Sequence, residues 1–286
     1  MSAVVANGAM THTLIDRYLE LLKKSVLEEL YFDNEIRLIY LRQCVEGLDT
    51  FDPDALLDIA RGRPELYQAH LAASVDGGSA GRWPQDIGFY HTMIGRRRLD
   101  NVHACLDTIR QEGVPGDVIE CGVWRGGTVV FMRGYLAAHD LADRRVFVAD
   151  SFAGLPKPSA ADEGLDISRE VVPILAIERT RVENLFRAYD LLDDRVRFLE
   201  GWFADTLPRA EFSQLALLRL DGDLYSSTRD ALVACYDRVA RGGFVIVDDY
   251  GAIPQCARAI TDFRAERGIT DPIHTIDWTG VYWRKG

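Results

Sequence analysis

Cysteine is scarce here: five residues in 286, an odd number, with no CxxC pair and none beside a histidine at metal-ligand spacing. That excludes a disulfide framework and a thiolate zinc centre, and leaves reduced, mostly buried small hydrophobes. Positive charge is also short, with 33 Lys+Arg against 44 Asp+Glu and a net charge of −11. No basic footprint remains for a phosphate backbone or an anionic bilayer, so nucleic acid and membrane are excluded as partners. Long apolar runs are missing as well, since none approaches the roughly 20 residues of a membrane span. Residues Met1 to Met10 lack the basic flank and apolar stretch of a signal peptide. These absences describe a soluble cytoplasmic protein. At 48% hydrophobic the chain is too apolar for disorder and long enough for one large domain, or one domain with an appendage.

Apolar residues recur at three- and four-residue steps from Leu14 to Tyr31 (Ile15, Tyr18, Leu19, Leu22, Val26, Leu30), which predicts an amphipathic helix. Asp33 to Ala73 holds shorter helical patterns, with Pro53 suited to a helix start. The glycine-rich stretch Asp76 to Gly81 reads as a linker or lid edge. Beyond it, strand-like runs at Asp117 to Cys121, Arg145 to Ala149, Val196 to Leu199, Leu215 to Leu220 and Gly243 to Val247 alternate with helical stretches. Those stretches are Gly126 to His139, Glu178 to Tyr189 and Ser226 to Ala240. Continuous apolar strands alternating with helices predict a doubly wound, mostly parallel α/β sheet covered on both faces. Ile273 to Ile276, Thr279-Gly280 and Val281 to Trp283 predict a closing antiparallel hairpin.

In such sheets ligands bind beyond the carboxyl ends of the strands. The first strand runs into Glu120-Cys121-Gly122-Val123-Trp124-Arg125-Gly126-Gly127, which is neither GxGxxG nor a Walker loop. Its glycines serve a tight strand-to-helix turn, or a ligand approaching the backbone; Glu120 suits a cationic or hydrogen-bond-donating ligand rather than a pyrophosphate. Asp150 ends the second strand with Ser151 beside it, placed either to hold ribose hydroxyls or to cap a helix. Trp202 and Phe203 follow the third strand, where they sandwich a planar base or pack in the core. Asp221 and the pair Asp248-Asp249 end the fourth and fifth strands. On neighbouring parallel strands these three carboxylates share one small volume and repel each other unless a cation or protons compensate. Singly each reads as a solvated acid at a loop start; together, with all-oxygen donors, they point to a hard ion such as Mg²⁺.

With these residues the sequence resembles a class I S-adenosylmethionine-dependent methyltransferase, and more narrowly the macrocin O-methyltransferase (TylF/MycF/NovP-type) family that modifies antibiotic sugars. The likeness spans about Tyr90 to Arg284 and extends to the Leu19 to Tyr31 helix. It rests on His91-Thr92-Met93-Ile94-Gly95, Arg98-Leu99-Asp100-Asn101, Glu120 to Gly127, Val148 to Phe152, Gly201-Trp202-Phe203, Arg219 to Asp223, Gly243 to Tyr250 and Tyr282-Trp283-Arg284. The resemblance implies a seven-stranded Rossmann-like sheet, with a helical extension and lid over residues 1–89 and the S-adenosylmethionine-binding domain over 90–286. It implies that Glu120 and Gly122 line the methionine end of the cofactor, that Asp150 holds its ribose, and that Trp202 and Phe203 border its adenine. Met93 and Ile94 then close over it, and Asp221, Asp248 and Asp249 bind Mg²⁺. Asp33 to Trp83 is longer than the family's usual lid.

Methyl transfer to a hydroxyl needs in-line alignment and an activated oxygen. Asp221 is the expected base, although a carboxylate on Mg²⁺ is a poorer one, and His91 is the reserve. The expected partners are a small, glycosylated acceptor and further copies of the chain as a homodimer or higher oligomer. The loop Gly154 to Arg169 and the Asp33 to Trp83 segment enclose the acceptor. Two other substrate readings stay open: a phenol or catechol acceptor, and a nucleotide-sugar glycosyltransferase, since Asp221-Gly222-Asp223 also resembles its DxD motif. An NAD-dependent oxidoreductase fits less well, with no GxGxxG and no Tyr-x-x-x-Lys.

Overall fold

A computed structural model describes residues 13–76 and 90–286. The glycine-rich stretch near Asp76 to Gly81 and the boundary at residues 89 and 90 lie largely outside them.

The predicted first helix is shorter than its periodicity. α1 (Leu14–Val26) starts at a capping box made by Thr13 and Asp16, and buries Leu19, Leu22 and Val26. Glu28 then takes a left-handed φ of 58°, which no helix continues through, so Leu30 leaves the apolar face and stays exposed. α2 (Phe32–Val45), α3 (Pro53–Leu57), α4 (Ile59–Gly62) and α5 (Pro64–Asp76) follow. Asp52 caps α3 with Pro53 in its first turn, the proline start that the sequence predicts. These helices share a small core of their own, built on Ile36, Ile39, Tyr40 and Ile59.

α6 (Gly95–Gln111) leads into the sheet: β1 (Asp117–Cys121), α7 (Gly127–Ala138), β2 (Val146–Asp150), α8 (Arg179–Ala188), β3 (Val196–Glu200), α9 (Phe203–Thr206), β4 (Leu215–Leu220), α10 (Tyr225–Cys235), β5 (Val239–Val247), α11 (Pro254–Arg267), β6 (His274–Thr275) and β7 (Val281–Arg284). The seven strands run in the order β3-β2-β1-β4-β5-β7-β6, parallel except where β7 pairs antiparallel with β5 and β6. The expected doubly wound sheet with its closing hairpin is therefore present. One boundary moved: Val239 and Ala240 extend the helical apolar pattern of α10 but lie in β5, where Val239 pairs with Leu215.

Period-two alternation sends the strands' side chains into two cores. Val118, Val146, Val148 and Ile246 join α1, α6, α7 and α8 on one face; Ile119, Phe147, Leu218 and Val245 join α10 and α11 on the other. All five cysteines are free, four of them buried. No described helix is long and apolar enough to cross a membrane.

Candidate active site

The switch in strand order lies between β1 and β4, and a cavity of about 390 Å³ opens beyond their carboxyl ends. Gly122, the first residue past β1, has a φ of 90°, and a Cβ there would stand 1.8 Å from the Asp221 carbonyl oxygen. Only glycine lets the β1 and β4 exits run so close, and this brings the turn and the β4 acids onto one wall. Gly127 is equally confined: its N–H donates to the His91 carbonyl at 2.7 Å, where a side chain would collide.

Asp150 is enclosed at the end of β2. Its Oδ2 accepts from the Val123 and Trp124 amides (2.8 and 3.4 Å) and its Oδ1 from the Phe152 amide (2.8 Å). It therefore fixes the glycine-rich turn and still faces the cavity with its remaining lone pairs. Met93, Gly122, Ser151, Trp202 and Phe203 also line the cavity, Trp202 being 43% exposed. Two residues grouped with them by sequence are not among its lining: Ile94 is buried in the core, and Glu120 is 2% exposed, with its Oε2 buried and without a hydrogen-bond partner. His91 does not line it either. Its imidazole lies 3.5 Å from Glu28, and burial, reinforced by Arg125 and Arg181, pushes it down to about 4.

The acids at the β4 and β5 ends divide into two sets. Register places Glu120 beside Arg219 on adjacent strands, on the same face of the sheet. Buried Arg219 donates from Nη1 to Glu120 (2.5 Å) and Asp221 (2.8 Å), and from Nη2 to Asp248. The other Asp248 oxygen accepts from Arg98 of α6, whose Nε donates to Asp277 at 2.9 Å. Asp248 thus has both carboxylate oxygens on guanidinium groups. The carboxylates that come together are Asp221, Asp223 and Asp249, one oxygen of each lying within 4.8 Å of the others. Asp249 Oδ2 is buried without a hydrogen-bond partner. A cluster of oxygen donors with an orphaned buried oxygen fits a hard divalent cation. The sequence reading left Asp223 out of the Mg²⁺ set and named it only within the DxD-like Asp221-Gly222-Asp223; its φ of 57° lies in the left-handed region, and its carboxylate joins Asp221 and Asp249.

Burial, then the Asp248 charge, pushes Asp221 up to about 6; burial, then Asp221 and Asp248, pushes Asp223 up to about 8; burial raises Asp249 well above the carboxylate range. In the unfolded chain these groups titrate near about 3.9. Between about pH 4 and 8 the folded protein therefore holds more protons, and stability falls as pH rises. A cation that replaces those protons binds better at high pH. In melting experiments at pH 5.5 and 8.5, saturating Mg²⁺ is expected to raise Tm by about 5 °C at the higher pH and much less at the lower. A shift that is absent at both values, or larger at pH 5.5, overturns the cation site.

Residues 15–285 match the family described as Macrocin-O-methyltransferase (TylF). A tetracenomycin rhamnosyl 4′-O-methyltransferase from Streptomyces olivaceus is 44% identical over 278 residues, 96% of this chain and 95% of that protein. Mycinamicin III 3″-O-methyltransferase from Micromonospora griseorubida is 50% identical over 201 residues, 68% of this chain and 78% of that protein. The solved structure of the O-methyltransferase NovP superposes with a TM-score of 0.77 at 40% identity, over 95% of this chain and 99% of that one. With the matching fold and near-complete coverage, the chain belongs to the macrocin O-methyltransferase (TylF) family.

Proposed function

We propose that the protein transfers the methyl group of S-adenosylmethionine, with Mg²⁺ present, to a hydroxyl of a deoxysugar carried by a natural product. The observation that carries this reading is one cavity lined both by Asp150 with Trp202 and by Asp221 with Asp223. When bound, S-adenosylmethionine supplies a methyl group on a good leaving group and Mg²⁺ supplies a Lewis acid that lowers a hydroxyl pKa. Asp150 accepts from the ribose hydroxyls, and Trp202 and Phe203 flank the adenine. Met93 and Ser151 border the same ligand, and Gly122 lets it approach the backbone. Asp221 and Asp249 hold the ion, in keeping with the one or two protein carboxylates usual for Mg²⁺.

Asp223 takes the hydroxyl proton. It lines the cavity and makes no hydrogen bond among the described residues, whereas Asp221 is tied to Arg219 and Asp248 to two arginines. Asp223 alone of these three carries no arginine on its carboxylate, so no guanidinium lowers its basicity. The loop after β2 borders the acceptor, with Gly154 to Lys157 lining the cavity. A sugar acceptor is supported by the relatives, which are named for a dimethoxy-rhamnosyl tetracenomycin, demethyldecarbamoylnovobiocin and mycinamicin III.

The test is product mass spectrometry after incubation with S-adenosylmethionine and Mg²⁺. The acceptors are 8-demethyl-8-(2,3-dimethoxy-rhamnosyl)-tetracenomycin C, demethyldecarbamoylnovobiocin, mycinamicin III and a free catechol. The expected result is one added methyl on the sugar fragment of at least one glycoside, lost in excess EDTA. Methylation of the catechol alone overturns the acceptor class, and undiminished turnover in EDTA overturns the metal.

A further inference from the structure

Between β2 and α8 the chain makes a long strap, residues 151–178, with no α-helix or strand of its own. Gly154, Leu155, Pro156, Lys157 and Leu175 of this strap line the cavity, so its placement sets the shape of the wall that faces an acceptor. Such a segment has little secondary structure to hold it, and its order must come from side-chain contacts.

Asp162 lies in the middle of the strap and is fully buried, at 0% exposure. Its carboxylate has no part in the site described above. Oδ2 accepts from the Ser159 amide (3.1 Å) and hydroxyl (2.6 Å), which closes the strap's own turn. Oδ1 accepts from the Tyr225 amide at 2.6 Å, and Oδ2 also from the Ser226 hydroxyl at 3.3 Å. Tyr225 and Ser226 open α10, whose N-cap residue Leu224 supplies no capping side chain. A residue more than 60 positions earlier therefore caps this helix, where an anionic oxygen is favoured by the free N–H groups. The capped turn follows Asp223 by two residues, and Ser226 itself lines the cavity.

We infer that Asp162 is a positioning residue: it pins the strap to the loop that carries Asp223 and so fixes the acceptor wall against the proton-accepting carboxylate. The inference rests on the proposed reaction for its functional consequence, but the pin itself is a property of the free protein. Other contacts hold the strap elsewhere: Arg258 and Gln255 of α11 donate to the Ala161 and Glu163 carbonyls, Ile167 is buried in the core under α10 and α11, and Trp124 donates to the Ile174 carbonyl at 3.1 Å. Asp162 is the residue that bonds the strap to the first turn of α10, two residues beyond Asp223.

Asp162→Ala removes every one of these acceptors, and Asp162→Asn keeps one carbonyl oxygen and serves if the alanine variant fails to fold. Hydrogen exchange on the full chain is expected to quicken about tenfold at residues 154–169 and at Tyr225 to Ser227, with β1 and β4 unchanged. Calorimetry with S-adenosylhomocysteine should give wild-type affinity. With the tetracenomycin rhamnoside as acceptor, KM for the acceptor should rise about tenfold while KM for S-adenosylmethionine stays put. Unchanged exchange in the strap, or cofactor affinity falling in step with acceptor affinity, overturns the proposal. If the wild-type protein does not methylate that rhamnoside, the acceptor proposed above is at fault, and the exchange measurement alone decides the pin.

Discussion

Asp223→Asn is expected to lower kcat by about 10² to 10⁴, the range over which a positioned base contributes to a proton transfer. The substitution keeps the shape of the side chain while removing its charge and its ability to take a proton. Asp223 makes no hydrogen bond among the described residues, so nothing else is left unpaired. S-adenosylhomocysteine affinity and the Mg²⁺-dependent rise in Tm should both survive, because Asp221 and Asp249 remain. Asp221→Asn and Asp249→Asn should differ in kind, losing the Tm response to Mg²⁺ together with turnover. If Asp223→Asn also abolishes the Mg²⁺ response, Asp223 is a ligand and not the base. If it leaves kcat within a few-fold of wild type, the proton goes elsewhere.

The second large effect is on stability. Arg219 is completely buried among Glu120, Asp221 and Asp248. Arg219→Met fills most of the same space with an uncharged chain and leaves three carboxylates facing one another in a poorly solvated interior. Removing one partner of a buried ion pair costs about 3–5 kcal/mol. For a chain of this size that is a fall in Tm of at least about 6 °C. The loss has a pH signature: without the guanidinium the acids become still harder to ionise, so protonation relieves the repulsion as pH falls. Melting of wild type and variant between pH 5 and 8 should show the gap narrowing toward pH 5. A gap that does not change with pH would mean that lost packing, not uncompensated charge, is the cause. Arg219→Lys should recover only part of the loss, since an ammonium cannot reach three carboxylates with a planar fork.

Some of the site was legible in the sequence because it depends on local pattern and on register. Apolar runs of five to six residues located β1 and β4 to the residue. Parallel strands of matched length end together, so acids just past their last apolar residue had to lie near one another. The amide of Asp221 bonds the Cys121 carbonyl and that of Asp248 the Leu220 carbonyl, which continues the ladder into the site. The Gly122 turn was legible for a similar reason, since the sequence needed glycine where the chain turned sharply.

Other features were not legible. Glu120 reads as a free carboxylate ending a strand, but its neighbour across the β1–β4 ladder is Arg219, which takes one of its oxygens, and an arginine within an apolar run carries no local sign of which acid it will meet. Val239 and Ala240 read as helix because their apolar spacing continues α10, and only pairing with β4 makes them strand. The first helix ends early, at Val26, because of a single left-handed residue, Glu28, that periodicity does not register.

By itself, then, the sequence determined the order of strands and helices, the turn beyond β1 and the presence of a group of acids at the β4 and β5 exits. Those features follow from interactions between residues a few positions apart, or from register between neighbouring strands. Only the tertiary structure decided which acids pair with arginines and which cluster together. Arg98 reaches Asp248 across 150 positions of sequence, Arg219 claims its other oxygen, and Asp223 folds back to join Asp221 and Asp249. A carboxylate's task depends on whether a cation stands beside it, and that neighbour is chosen by the packing of α6 against the sheet and by the conformation of one loop, neither of which local sequence encodes.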